Sequence, residues 1–160
     1  MKLITDPKTL SELNAWGDTF VKRLQVEMQN AGVNASGNLS NSIEYTVSNE
    51  SDGTHISVLA DPYFFYAEHG RRAGRIPMNF VSIIEEWLAD KRVQIPSGLS
   101  PRRFASAIAY KIKRYGSLRY RNKAPIDLVE PVMGDMYPKL GDILQSRVMY
   151  YVNDELFNWV

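Results

Sequence analysis

The side chains that could carry out hydrolytic chemistry in this 160-residue sequence are a few carboxylates and two histidines. A metal-dependent nuclease needs clustered carboxylates, because they hold the cation that activates the attacking water. Asp61, Glu68 and Glu44 are the candidates for such a cluster. Asp61-Pro62 is also typical of a strand end, and Glu68-His69 of a polar pair beside a glycine turn. We favour these structural interpretations over a catalytic one.

Known catalytic motifs are missing from the sequence. Its two histidines, His55 and His69, belong to no HExxH motif, and there is no Walker loop, GxGxxG fingerprint or GxSxG elbow. Cysteine is absent, which excludes disulfides, Cys-ligated zinc, iron–sulfur clusters and thiol nucleophiles. The sequence therefore predicts a protein that is not an enzyme and that needs no metal or other cofactor.

A basic segment occupies the middle of the chain. Residues 71–123 contain thirteen basic and three acidic side chains, a net charge of +10, although the whole chain carries +1. Residues 1–70 have four basic and nine acidic side chains, and residues 124–160 have two and six. Such a segment can contact phosphates, pair with acidic surfaces of a neighbouring subunit, or form a solvated face. Sequence-specific DNA recognition is the least favoured, because no helix-turn-helix, zinc module or RNP-like strand accompanies the charge.

Helical periodicity predicts the elements that carry these charges. Asp6-Pro7, followed by apolar residues three or four apart, predicts a long first helix that ends at Gly32. The same spacing predicts a helix from Phe80 to about Arg92, a helix over about 101–114 and a final helix from Pro125 onward. Within the final helix, Pro138 predicts a kink or two helices that meet at residues 134–138.

The remaining segments predict a small sheet and loops. Alternating apolar residues predict a hairpin whose strands cover residues 43–47 and 55–60, with a turn over 49–53. Tyr63 to Gly70 is expected to be a helical turn or irregular, and Ser117 to Ala124 a basic loop with a short extended piece. A loop or a short helical turn is expected at residues 36–40.

The predicted fold class is α+β in a single domain over residues 1–160. It has a long N-terminal helix, a small antiparallel β-sheet (the hairpin plus an optional extra strand), two middle amphipathic helices and a long C-terminal helix. Residues 134–160 are interpreted as a C-terminal helical extension that serves as a contact element. The N-terminus lacks the apolar region of a signal peptide, so we expect a soluble protein without a classical secretion signal.

Three separated patterns resemble one protein family. Ser36-Gly37-Asn38-Leu39, followed by Ser42-Ile43 and a strand, is similar to the "SG-x-L-x-x-S-I" segment of bacteriophage tail-completion proteins, the small head–tail connector (neck) subunits. The segment from Tyr63 to Arg71 resembles that family's "Y-A-x-Y-x-E-x-G-R". Residues 76–91 and 107–116 resemble its two following helices. The resemblance covers about residues 7–133 and departs at 118–125, where the family usually has "RPF" and then a proline-alanine pair.

The resemblance implies a virion structural protein. Such a subunit forms a sixfold or twelvefold ring between the portal-side adaptor and the tail tube or other neck proteins. Genome DNA passes through the lumen without sequence-specific binding. It would be assembled in the host cytoplasm and located in the neck of the virion, with no membrane contact. The alternative is a DNA-associated accessory protein that binds phosphates through residues 71–123.

Under the connector interpretation, the candidate residues fall into two groups. Charge and motif position together predict the following interface residues: Tyr63, Tyr66, Glu68, Gly70, Arg71, Arg72, Arg102, Arg103, Arg119, Arg121 and Lys123. Four residues are predicted to form structural turns: Ser36, Gly37, Gly70 and Gly116. Charge reversal at Arg119 and Arg121 is expected to impair ring assembly while the monomer stays folded.

Overall fold

The computed structural model describes residues 6–33, 35–50 and 53–157, and its fold is α+β as predicted. In chain order the elements are α1 (Pro7–Asn30), α2 (Asn38–Asn41), β1 (Glu44–Glu50), β2 (Gly53–Leu59), α3 (Tyr63–His69), α4 (Phe80–Asp90), α5 (Pro101–Tyr115), α6 (Leu118–Arg121) and α7 (Val129–Phe157). The strands pair antiparallel, and within the described ranges no extra strand joins them. The predicted turn over 49–53 includes residues 51 and 52, which lie outside those ranges.

Local capping signals set both ends of α1. The Asp6 carboxylate accepts a hydrogen bond from the Thr9 N–H at 2.9 Å, and Pro7 occupies the first helical position. At the other end Gly32 has φ +65°, and the Val33 N–H donates to the carbonyl of Met28. This is a Schellman closure, which needs a residue that tolerates positive φ. The predicted start and end of the first helix are confirmed.

The larger hydrophobic core lies between α1, β1 and α7. Its buried members are Trp16, Phe20, Leu24, Met28, Ile43, Leu128, Val132 and Met136. The Trp16 ring stacks on Phe20 with the centroids 5.4 Å apart, and its indole Nε1 donates to the Met136 carbonyl at 2.8 Å. Burial of the indole N–H without a partner would be costly, so this bond fixes the register between α1 and α7.

The final helix is continuous through Pro138, so the first alternative predicted there, two separate helices that meet at residues 134–138, is wrong. The second alternative, a kink within one helix, stays a prediction. Proline cannot donate to the carbonyl of Gly134, which costs a helix about 3 kcal/mol. Met136 and Leu140, on either side of the proline, pack into the core against α1. This burial offsets the lost hydrogen bond. No helix in the part of the chain that the structure describes has the length and apolar character needed to cross a membrane.

A second, smaller core lies between α4 and α5. Phe80, Ile84 and Leu88 on one helix pack against Ala105 and Ala109 on the other. The two alanines are almost completely buried, so their small side chains let the helix backbones approach closely. α5 follows the Ser100 cap and stops before Gly116, in agreement with the predicted helix over about 101–114.

Replacing Gly17 with alanine is expected to lower the free energy of unfolding by about 1–2 kcal/mol. A Cβ at Gly17 would lie 2.3 Å from a ring carbon of Tyr45 on β1, although alanine is the better helix former by about 1 kcal/mol. Urea unfolding measures the difference. In a Tyr45→Ala background the same replacement should stabilise the protein, and continued destabilisation there would contradict the steric explanation.

Candidate functional site

Two chain segments far apart in sequence meet between the two cores. The N–H of Arg71 donates to the Ser117 hydroxyl at 2.9 Å, and the N–H of Ser117 donates to the Arg71 carbonyl at 2.8 Å. A third bond runs from the Gly74 N–H to the Lys113 carbonyl at 2.9 Å. The segment after α3 is therefore held against the end of α5.

Glycine is required on both sides of this junction. Gly70 has φ +79° and ψ 172°, and Gly116 has φ +81° and ψ 170°, a backbone region used almost only by glycine. A Cβ at Gly70 would lie 2.6 Å from the Ser117 hydroxyl and 2.6 Å from the Tyr120 nitrogen. A Cβ at Gly116 would lie 2.9 Å from the Arg71 carbonyl. Both predicted turn glycines thus permit close approach of backbones.

Glu68 and Arg119 connect this junction to the start of α7. One oxygen of the Glu68 carboxylate accepts a hydrogen bond from the Leu128 N–H at 3.2 Å, and the Glu68 carbonyl accepts one from the Ile126 N–H at 2.9 Å. The Arg119 guanidinium donates to the carbonyl of Ala67. Glu68 and Arg119 are half-buried, so both hold elements together as well as adjoining the surface.

An open cleft of about 680 Å³ lies beside the junction. We call it the aromatic cleft. Its lining includes Tyr63, Tyr66, Phe80, Trp87, Leu118 and Ile126. Since α3, α4, α6 and the segment before α7 all contribute to it, both cores shape its walls. Its size is typical of pockets that bury most of a bound group.

Arg71 forms part of the wall of the aromatic cleft. Its guanidinium lies over the Tyr66 ring at 4.7 Å and near the Phe80 ring at 5.1 Å, and one of its Nη atoms donates to the Arg75 carbonyl at 3.2 Å. Its Nε is buried and has no hydrogen-bond acceptor within the described ranges. Stacking on two rings therefore fixes this cation more than hydrogen bonding does.

The other predicted interface cations are spread over several surfaces. Arg72, Arg121 and Lys123 are exposed and form no ion pair with a described residue. Arg102 and Arg103 lie in the first turn of α5, away from the lining of the aromatic cleft. Arg102 approaches Glu85 at 3.5 Å. The structure thus brings Tyr63, Tyr66, Gly70, Arg71 and Arg119 together in the lining of the aromatic cleft and keeps Glu68 at the adjoining junction. The remaining predicted interface residues lie outside that lining: Arg72, Arg102, Arg103, Arg121 and Lys123.

Two of the three carboxylates considered for a nuclease, Asp61 and Glu68, have structural contacts. The Asp61 carboxylate accepts a hydrogen bond from the Tyr63 N–H at 2.7 Å, where it begins α3. Glu68 lies 3.4 Å from His69 Nδ1, and the His69 ring stacks on Phe65. Glu44 is exposed on β1. Among the residues with described positions, no three His, Cys, Asp or Glu side chains are grouped so that they could hold a metal.

At the first predicted turn, Gly37 has φ +89° at the N-terminus of α2. The Ser36 hydroxyl accepts a hydrogen bond from the Asn38 N–H at 3.4 Å. The short helical turn expected in this segment is confirmed.

Sequence reasoning missed several residues of the site. The predicted basic loop over 117–124 is wrong, because α6 forms there with the Ser117 hydroxyl accepting from the Tyr120 N–H at its start. Ser117 therefore both caps α6 and holds Arg71. A serine directly after a helix-ending glycine is a capping signal that could have indicated α6. Trp87 and Leu118 were not assigned to a site, and nothing in their local sequence places them in one cleft.

Comparison of the chain with models of known protein families, with curated proteins and with solved structures finds no match.

Proposed function

We propose that this chain is a structural subunit of a homo-oligomeric ring, in the head–tail connector or neck of a tailed bacteriophage. The three motifs between residues 7 and 133 support the family assignment, because they occur together in the family's order. In this proposal the ring joins a portal-side adaptor to the tail, and genome DNA passes through its lumen.

The observation that carries the assembly role is the exposure of aromatic side chains. In the described part of the chain, seven of the eight exposed aromatic residues other than histidine lie between positions 63 and 120: Tyr63, Phe65, Tyr66, Trp87, Tyr110, Tyr115 and Tyr120. Met78 and Leu118, in the same range, are also largely exposed. Aromatic residues, methionine and arginine are enriched in protein interfaces. Tyr63, Tyr66, Trp87 and Leu118 share the lining of the aromatic cleft, and apolar exposure gathered at one place marks an interaction surface.

Charge complementarity gives a second line of support. Arg72, Arg121 and Lys123 are exposed without ion pairs to described residues, while Glu44 and Asp142 are exposed on the acidic flanks. Exposed cations on one subunit can therefore meet exposed carboxylates on the next. Such contacts select the partner and register more than they add affinity. An interface between two different surfaces of one chain closes into a ring when the rotation between subunits permits.

Native mass spectrometry combined with negative-stain electron microscopy tests the proposal. We expect closed rings of six or twelve subunits at micromolar concentration, with dissociation favoured as salt weakens the charge pairs. A monomer at every concentration, with duplex DNA binding that falls steeply as salt rises, would overturn the ring and favour the DNA-associated alternative. A monomer that ignores DNA at low salt would overturn both.

A further inference from the structure

We infer that the C-terminal end of α7 in one copy of this chain, residues 147–157, docks into the aromatic cleft of a second copy. This inference rests on the proposed ring and names the contact that would close it. The cleft and the helix end belong to different surfaces of the same chain, so the contact is head to tail.

The aromatic cleft is suited to an apolar segment that carries negative charge. Tyr63, Trp87 and Leu118 line it and keep 48%, 41% and 63% of their surface exposed, although large apolar side chains are usually covered. Arg71 and Arg119 also line it. Arg121 lies three residues after Leu118, at the other end of α6. An occupant would therefore bury apolar surface against the rings and place carboxylates near guanidinium groups.

The end of α7 has that composition. In sequence, Val148, Tyr151, Val152 and Leu156 stand at positions i, i+3, i+4 and i+8, which lie on one face of a helix. Residues 147–157 also contain Asp154 and Glu155 against a single Arg147. Glu155, seven residues after Val148, falls on this same face, so the face is apolar apart from one carboxylate. Such a face complements the rings and cations of the aromatic cleft.

Helix geometry places this segment past the first residue of α1. α7 runs antiparallel to α1, because Met136 contacts Trp16 while Asp135 pairs with Arg23 at 2.9 Å. Pro7 lies nine positions before Trp16. In antiparallel helices the matching point on α7 lies nine positions after Met136, at about Gln145. α7 continues to Phe157, roughly 18 Å further at 1.5 Å per residue.

The same geometry excludes docking within one chain. Ile126 lines the aromatic cleft and lies three positions before Val129, the first residue of α7. α7 spans 29 residues and is therefore about 43 Å long. The helix therefore leads its own C-terminal end away from its own cleft. Only another copy can present residues 147–157 to it while the helix stays intact. A contact of this kind repeats from subunit to subunit and generates a ring or a filament.

Complementary variants of the full chain test the inference. Leu118→Asp damages the cleft at an exposed position, and Val152→Asp with Leu156→Asp damages the helix end. Each variant alone should associate at least about tenfold more weakly than the wild type, because an apolar contact is replaced by a charge. Mixed together, the two should form a one-to-one heterodimer, since one intact cleft and one intact helix end remain. Tyr137→Asp, exposed on α7 outside both surfaces, serves as the control and should assemble normally.

Disulfide trapping supplies a measurement that does not depend on damaging the contact. The chain has no cysteine, so a Leu118→Cys, Leu156→Cys variant has one pair of thiols. Mild oxidation should give a ladder of linked subunits, and an intramolecular disulfide as the main product would overturn the inference. Wild-type-like assembly of either charge variant would also overturn it while the ring proposal stands. A wild-type protein that never assembles would remove both proposals.

Discussion

Replacing Gly70 with alanine is expected to lower the free energy of unfolding by about 3–5 kcal/mol, the largest effect of any single substitution considered. Two costs add. The backbone at φ +79° and ψ 172° strains any residue with a Cβ, and that Cβ would lie 2.6 Å from both the Ser117 hydroxyl and the Tyr120 nitrogen. Neither neighbour can withdraw freely, because Ser117 caps α6 and holds Arg71. Equilibrium unfolding in urea, with an unchanged slope, measures the loss.

Gly98→Ala is the matched control for this prediction. Gly98 also has a positive φ, +86°, but a Cβ there would meet no atom within 4 Å. This substitution pays the backbone strain alone, about 1 kcal/mol. If the two variants lose equal stability, the close approach between the segment after α3 and the start of α6 contributes nothing, and our description of the junction is wrong.

The parts of the fold that could be predicted from sequence are those whose signals are local. Asp6, Pro7 and Gly32 mark the ends of α1 within a few residues of where each acts, and Ser100 and Gly116 do the same for α5. Apolar periodicity identified the buried face of α1, because burial follows directly from that spacing. On α5 the buried side chains are instead Ala105 and Ala109, while the apolar residues Phe104, Ile108 and Ile112 are only partly buried.

Two features of the fold were mispredicted because tertiary contacts outweigh or supplement their local signals. α6 has four residues and no apolar period, and it forms where the Ser117 cap and the bond from Arg119 to the end of α3 hold it. α7 continues through Pro138 because packing against α1 outweighs a local helix-breaking preference. Local propensity is a weak guide wherever burial opposes it.

Only part of the site could be predicted, because its residues come from segments that only the tertiary fold brings together. The motif from Tyr63 to Arg71 drew attention to one wall of the aromatic cleft, since its aromatic and charged residues are contiguous in sequence. The rest of the lining includes Trp87 on α4 and Leu118 on α6. Ser117, which caps α6, lies 46 residues after Arg71. No periodicity or motif connects segments at that separation, so only the fold reveals that they share a cleft.

Arg119→Glu is expected to destabilise the folded monomer by about 2–3 kcal/mol. The half-buried Arg119 guanidinium donates to the Ala67 carbonyl at the end of α3, and hydrogen bonds from charged groups are among the stronger ones. A glutamate would remove the donor and bring a second carboxylate near Glu68. Thermal unfolding monitored by circular dichroism measures the effect. This expectation revises the view of Arg119 as a surface charge whose reversal leaves the fold intact.

Arg121→Glu separates the two roles that the basic segment could have. Arg121 lies two residues further along the same short helix, but it is exposed and forms no ion pair with the described residues. Its reversal should leave the stability of the monomer within about 0.5 kcal/mol of the wild type, yet weaken assembly about two- to fivefold at low salt. If both reversals destabilise the monomer equally, then both arginines stabilise the fold, and Arg121 is not a purely surface charge. Loss of assembly from Arg121→Glu alone would mean that the basic segment is divided, with Arg119 holding the fold and Arg121 facing the neighbouring subunit.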